Sequence, residues 1–300
     1  ACTDVGGANM DFISGQTLLE VCEKEKLPIS EVMKQREITC GKMPEKEIRE
    51  KLYEVLRIMK EAVEEPIRQP KKSMGGLIGG EAKLVADHEG TASSVCGPPL
   101  SRAISYSMAV LEVNASMGLI VAAPTAGSAG VLPGVLLSIR DTKQVDDEML
   151  LKGVLNASAV GYILMRNASV SGAEAGCQAE VGAASAMAAS AVVEMMGGTP
   201  QMCLDAASIA MANLLGMVCD PIAGLVEAPC QSRNAIGVAN ALTCAELALS
   251  GVKSVIPFDE MAESMYHVGK SLPFELRETA MGGCAGTPTG CSLGCEICGR

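Results

Sequence analysis

Val181-Gly182-Ala183-Ala184-Ser185-Ala186-Met187-Ala188-Ala189-Ser190-Ala191-Val192-Val193-Glu194-Met195-Met196 carries one charged residue in sixteen. A helix that is apolar nearly all round belongs inside a bundle, and its small side chains let neighbouring helices approach closely. Residues 204–219 read the same way, and so do residues 235–250, where Glu246 is the only charge. No alternating apolar–polar run is long enough for a central sheet, so the expected fold is all-α. With four Tyr, three Phe and no Trp against 32 Gly and 18 Met, the core must be built from Ala, Gly, Met, Leu, Ile and Val.

Outward from this core, the chain reads as one helical domain over residues 1–300 in three parts. Residues 1–70 are charged and amphipathic. There Pro44 opens a helix with the stripe Ile48, Leu52, Val55, Leu56, Met59 and Val63, and Pro66 is expected to end it. Residues 71–283 form the core part. It begins with a Gly-rich, irregular stretch to residue 97, where Ser73-Met74-Gly75-Gly76-Leu77-Ile78-Gly79-Gly80 lacks the lysine and hydroxyl of a phosphate loop and reads as a permissive loop beside a pocket. Residues 284–300 are a cysteine-rich tail. The uncharged run 113–139 is long enough to span a bilayer, but Pro124, Pro133 and four glycines interrupt it. It reads as a buried helix, a loop over residues 124–130 and a second helix from Val131.

The net charge of −11 and the few aromatics exclude a nucleic-acid footprint. Residues 1–10 carry Asp4 and no basic region before an apolar run, so no secretory leader and a reducing cytoplasm are expected. There, thirteen cysteines mean free thiols or metal ligands. Cys22, Cys203 and Cys244 lie in apolar helical stretches and read as core residues.

Three other cysteines have different surroundings. Cys177 follows Ser171-Gly172-Ala173-Glu174-Ala175-Gly176, Cys219 opens Cys219-Asp220-Pro221-Ile222-Ala223-Gly224, and Cys230 closes Glu227-Ala228-Pro229-Cys230. Gly and Pro beside each allow the backbone to turn closely around an inorganic group, and thiolates are the usual ligands of iron–sulfur clusters.

These blocks, with Ala123-Pro124-Thr125-Ala126-Gly127-Ser128-Ala129-Gly130, Asn167-Ala168-Ser169-Val170-Ser171 and Gln231-Ser232-Arg233-Asn234, resemble the iron–sulfur-dependent L-serine dehydratases. The likeness is to the alpha subunit of the two-chain form and runs over residues 11–283. The resemblance implies a 4Fe-4S cluster held by Cys177, Cys219 and Cys230, with one iron left open as a Lewis acid. It implies deamination of L-serine to pyruvate and ammonia, and a separate beta subunit, hence a hetero-oligomer. No lysine motif of the pyridoxal-phosphate dehydratases and no nucleotide fingerprint appears.

A substrate amino acid needs carboxylate, ammonium and hydroxyl contacts. Thr125, Ser128, Ser171 and Gly172 are the expected donors, with Asn167 and Asn234 for the amino or hydroxyl group, although each hydroxyl is also a normal helix cap. Glu174 and Glu180 are both placed to serve as base or ammonium partner, and Glu174 with Ser171 is taken as the catalytic pair. His88 and His267 read as surface residues, and the base could equally lie on the beta subunit. The tail spacing Cys291-x3-Cys295-x2-Cys298 matches a radical S-adenosylmethionine motif, but no barrel can follow it. The resemblance instead implies a terminal cysteine that caps the open iron. Of Cys284, Cys291, Cys295 and Cys298, Cys291 lies nearest the expected distance, and Thr287-Pro288-Thr289-Gly290 is a turn that would bring it back. Two other classes stay open: a cysteine desulfidase, and a non-catalytic iron–sulfur protein, which would normally use four thiolates.

Overall fold

The computed structural model describes residues 9–299. The reading made on residues 1–10 therefore lies largely outside the described residues. Helices α1 (Gly15–Glu25), α2 (Ile29–Thr39) and α3 (Glu45–Arg68) form the charged first part. The middle holds α4 (Glu81–His88), α5 (Pro98–Ala115), α6 (Val131–Lys143) and α7 (Asp147–Asn167). Then come the short α8 (Gly172–Ala175), α9 (Ala183–Met195), α10 (Pro200–Asn213), α11 (Cys230–Leu249), α12 (Phe258–Ser271) and α13 (Pro288–Cys298). Among the described residues no strand forms; Cys219 and Arg277 make one isolated parallel bridge. The fold is all-α, as the patterning requires.

The quoted Ala-rich stretch lies at the centre. Every residue of α9 except Glu194 is buried, and α6, α7, α10 and α11 surround it. Alanine faces allow that close approach without large side chains. Leu136, Leu150, Ile163, Leu164 and Met211 fill the remaining space, each such burial contributing about 1.5–3 kcal/mol. Local signals set the helix starts: Asp146 accepts a 2.9 Å bond from the Met149 amide, and Thr199 accepts from Met202 with Pro200 behind it. Cys22, Cys203 and Cys244 are buried helical thiols.

Several local expectations are corrected. Pro66 does not end α3. It lies inside the helix, which runs on to Arg68 and closes through the Gln69 amide to the Glu65 carbonyl, because burial of the Pro66 ring offsets the missing donor. The stretch 71–97 contains α4, whose N-terminal turn is held by the Glu112 carboxylate on the Ala82 amide, 2.9 Å away. It also places His88 on a helix, though still exposed. The run 113–139 breaks earlier than expected, since α5 stops at Ala115 and residues 116–125 carry no helix. Residues 204–219 split too, with α10 ending at Asn213. Residues 287–290 form the start of a helix rather than a free turn: Thr287 caps α13 through the Gly290 amide, and α13 packs against the Ile222–Gly224 turn that follows Cys219. One described helix, α7, is long and apolar enough to cross a bilayer, and most of it is buried in this core.

Candidate metal centre and active site

Cys177, Glu180 and Cys219 converge from segments far apart in sequence, with their ligand atoms all within 4.8 Å of one another. Cys177 sits between α8 and a π-helical turn, Gln178–Gly182, that leads into α9. Such widened turns are rare and concentrate at functional sites. Glu180 lies on this turn, its Oε2 3.9 Å from Cys177 Sγ and 4.0 Å from Cys219 Sγ. Cys219 is fixed on both sides: its amide donates to the Leu276 carbonyl at 2.9 Å, and its carbonyl accepts from the Glu278 amide at 2.6 Å. Gly172 completes the cradle. A Cβ there would stand 2.5 Å from Glu180 Oε2 and 3.0 Å from Cys219 Sγ, so any larger residue would displace those side chains.

Cys230 is the first residue of α11, buried, and close enough to feel the charges of Cys177 and Glu180. Asn234, one turn on, is fully buried and donates to the Cys230 carbonyl at 2.9 Å and the Gly127 carbonyl at 2.8 Å, while accepting from the Gly130 amide at 3.1 Å. It thereby joins the start of α11 to the loop carrying Thr125 and Ser128. Thr125 Oγ1 donates to Glu180 Oε1 at 2.7 Å and lies 3.1 Å from Ser128 Oγ. Arg233 donates to the Val218 carbonyl at 2.8 Å, pairs with the buried Asp220, and reaches the Cys177 thiol. Asp220 Oδ2 accepts from the Cys284 amide at 2.6 Å.

The electrostatics follow from crowding and burial. The neighbouring Cys177 thiol, then burial, push the Cys219 thiol well above its usual range, and burial does the same to Cys230. Burial raises the Glu180 carboxyl; the Thr125 hydrogen bond opposes this and the Glu278 charge adds to it. Three buried free thiols beside a carboxylate are a donor set that suits a thiophilic cation. The donor set fits an iron–sulfur cluster.

The structure treats the other sequence-predicted residues unequally. Ser171 caps α8 with its backbone and makes no side-chain cap bond, so its hydroxyl stays available beside Gly172. Glu174 points to solvent and accepts from Ser169 Oγ at 2.6 Å; Glu180 is the carboxylate that enters the thiol group. Asn167 is spent on the Ile13 carbonyl at 2.6 Å and lines a separate cavity of about 520 Å³ with Tyr266 and His267. Cys291 is exposed on α13, its thiol 3.5 Å from the Ala285 carbonyl. Sequence reasoning gave no role to Arg233 or Asp220, although both lie inside the quoted motifs; a lone Arg and Asp carry no signal until folding pairs them.

Comparison with known proteins agrees with this arrangement. The pattern of the family described as "Serine dehydratase alpha chain" matches residues 24–285. A Bacillus subtilis protein named "Probable L-serine dehydratase, alpha chain" is 43% identical over 288 residues, covering 96% of each chain. The "L-serine dehydratase, alpha chain" of Peptoniphilus asaccharolyticus is 43% identical over 277 residues, 92% of this chain and 95% of its own. The "L-serine dehydratase" of Streptomyces coelicolor is 36% identical over 282 residues, which are 91% of this chain and 60% of that longer one. With the matched region running from α1 to the turn before α13 and enclosing all three thiols, the chain belongs to the serine dehydratase alpha chain family.

Proposed function

We infer that this chain is the catalytic subunit of an L-serine ammonia-lyase that converts L-serine to pyruvate and ammonia with a 4Fe-4S cluster held by Cys177, Cys219 and Cys230. The observation that carries the reading is the buried convergence of Cys177 and Cys219 with Glu180, beside Cys230, within a chain of this family. When bound, such a cluster supplies a Lewis-acidic iron that makes a β-hydroxyl a better leaving group.

The chain's own residues bind and orient. Gly172 lies against Cys219 Sγ, and with Ser171 before it and Ser128 beside Thr125 it supplies the donors we assign to the substrate carboxylate. Glu180 Oε2 faces the thiols while Thr125 holds Oε1, which places one carboxylate oxygen to pair with the substrate ammonium or to accept the Cα proton. Loss of that proton and of the hydroxyl leaves aminoacrylate, which tautomerises and hydrolyses to pyruvate and ammonia. Burial of the site excludes water from the elimination. The free thiols suit a reducing cytoplasm.

The beta subunit is part of the proposal. The Streptomyces coelicolor relative extends well beyond the region this chain covers, and the closer relatives carry the name alpha chain. We assign the remaining function to a separate polypeptide docked on this one. The test is pyruvate release from L-serine and from L-cysteine by anaerobically reconstituted chain, with and without its partner. Turnover of serine that rises on adding the partner supports the reading. Turnover of cysteine alone would identify a desulfidase, and iron binding without either turnover would identify a non-catalytic iron–sulfur protein.

A further inference from the structure

The Gly-rich stretch 73–80 has no helix and no part in the site described above, yet it closes around one buried side chain. Glu227 is 2% exposed. Its Oε2 accepts from Ser73 Oγ at 2.6 Å and from the Leu77 amide at 3.0 Å, and its Oε1 accepts from the Gly75 amide at 2.7 Å. Gly75 leaves room for that approach: a Cβ there would meet the two carboxylate oxygens at 2.9 and 3.0 Å and Leu225 Cδ1 at 2.5 Å, so those side chains would have to move. The loop is itself anchored, since the Met74 amide donates to the Ala115 carbonyl at the end of α5, 2.9 Å away.

Glu227 stands three residues before Cys230. Its carbonyl accepts from the Gln231 amide at 2.9 Å in the first turn of α11, and the next carbonyl, of Ala228, accepts from the Ile222 amide at 3.0 Å. Gln231 in turn donates to the buried Glu112 at 3.2 Å. The segment that delivers Cys230 is thus held from one side by a carboxylate in a nest of three donors and from the other by Gln231. A carboxylate can take three donors at two oxygens; an amide cannot, because one of its ends donates.

We propose that Glu227, seated in the loop 73–78, is a positioning residue that sets the backbone of Cys230 for cluster binding. This rests on the reading of Cys230 as a ligand. Groups that orient a metal ligand from behind it tune retention and electronics of the bound group without touching it.

The test uses the full chain, reconstituted anaerobically, with Glu227→Gln, Ser73→Ala, Gly75→Ala and Cys230→Ser compared to wild type. The readouts are iron retained against a chelator, the visible and electron-paramagnetic spectra, and thermal unfolding of the iron-free chain. Glu227→Gln sets an amide donor against a backbone N–H and is expected to release iron about tenfold faster with an altered spectrum; Gly75→Ala should do the same, and Ser73→Ala should do so more weakly. A Glu227→Gln protein that melts lower but keeps wild-type spectrum and iron retention would reduce Glu227 to a structural residue and overturn the proposal. Should Glu227→Gln fail to fold, the same decision falls to Ser73→Ala, which removes one donor and leaves the loop backbone intact. If Cys230→Ser itself retains iron and spectrum, it is the assignment of Cys230 that fails, and the two failures are told apart.

Discussion

Thr125 Oγ1 donates a 2.7 Å hydrogen bond to Glu180 Oε1 across 55 residues of chain. This contact orients a carboxylate whose other oxygen faces two buried thiols, and it opposes the rise that burial imposes on the Glu180 carboxyl. Thr125→Ala should therefore lower kcat/KM for pyruvate formation by about ten- to a hundredfold, the range expected for a lost hydrogen bond to a charged group. Thr125→Ser keeps the hydroxyl and should restore most of it. Equal activity in all three proteins would remove Glu180 orientation from the reaction.

Gly172→Ala tests the cradle. The added methyl would meet Glu180 Oε2 at 2.5 Å and Cys219 Sγ at 3.0 Å. Iron affinity should drop by about tenfold or more, while the helical signal of the chain stays unchanged. Normal reconstitution of this variant, measured by iron content and visible absorbance, would show that the space beside Gly172 is not used.

Asn234→Ala tests the link between α11 and the Thr125 loop. It deletes three hydrogen bonds at a fully buried position and leaves the Gly130 amide without its acceptor. The expected loss is about 3 kcal/mol of unfolding free energy, read by urea titration of the iron-free chain. A change below about 0.5 kcal/mol would place those bonds among the replaceable ones.

Asp141 gives a pH dependence away from the clustered thiols. Burial alone would raise its carboxyl, but hydrogen bonds from Arg140 and Tyr106, with the Arg102 charge, hold it below the usual range. A depressed folded-state value means that its stabilisation is fully present above the unfolded value near about 4 and is lost as pH falls through the folded one. Asp141→Asn should cost about 1 kcal/mol at pH 7, a figure kept low because the pair is partly solvated. The gap from wild type should narrow in melts as the pH is lowered through and beyond the ordinary carboxylate range; a gap independent of pH would assign the effect to packing.

The all-α core was legible in residues 181–196, because a helix without a polar face has only one stable surrounding, other helices. The meeting of Cys177 and Cys219 had a local signal, Gly176 before one and Pro221 two residues after the other, because short-range backbone preferences are written in the local sequence. Helix ends were less so: Pro66 inside α3 and the early stops at Ala115 and Asn213 depend on what packs against those turns. The choice between Glu174 and Glu180 was not in the sequence at all. Six residues apart in one motif, they diverge because the π-helical turn after Cys177 carries Glu180 inward while α8 leaves Glu174 in solvent. Asn167 and Asn234 diverge in the same way, one taken by the Ile13 carbonyl and one by the loop beside the thiols. Local sequence determined which residues are able to ligate, turn or cap; only the packing of distant segments decided which of them meet, since that depends on contacts made across the whole chain.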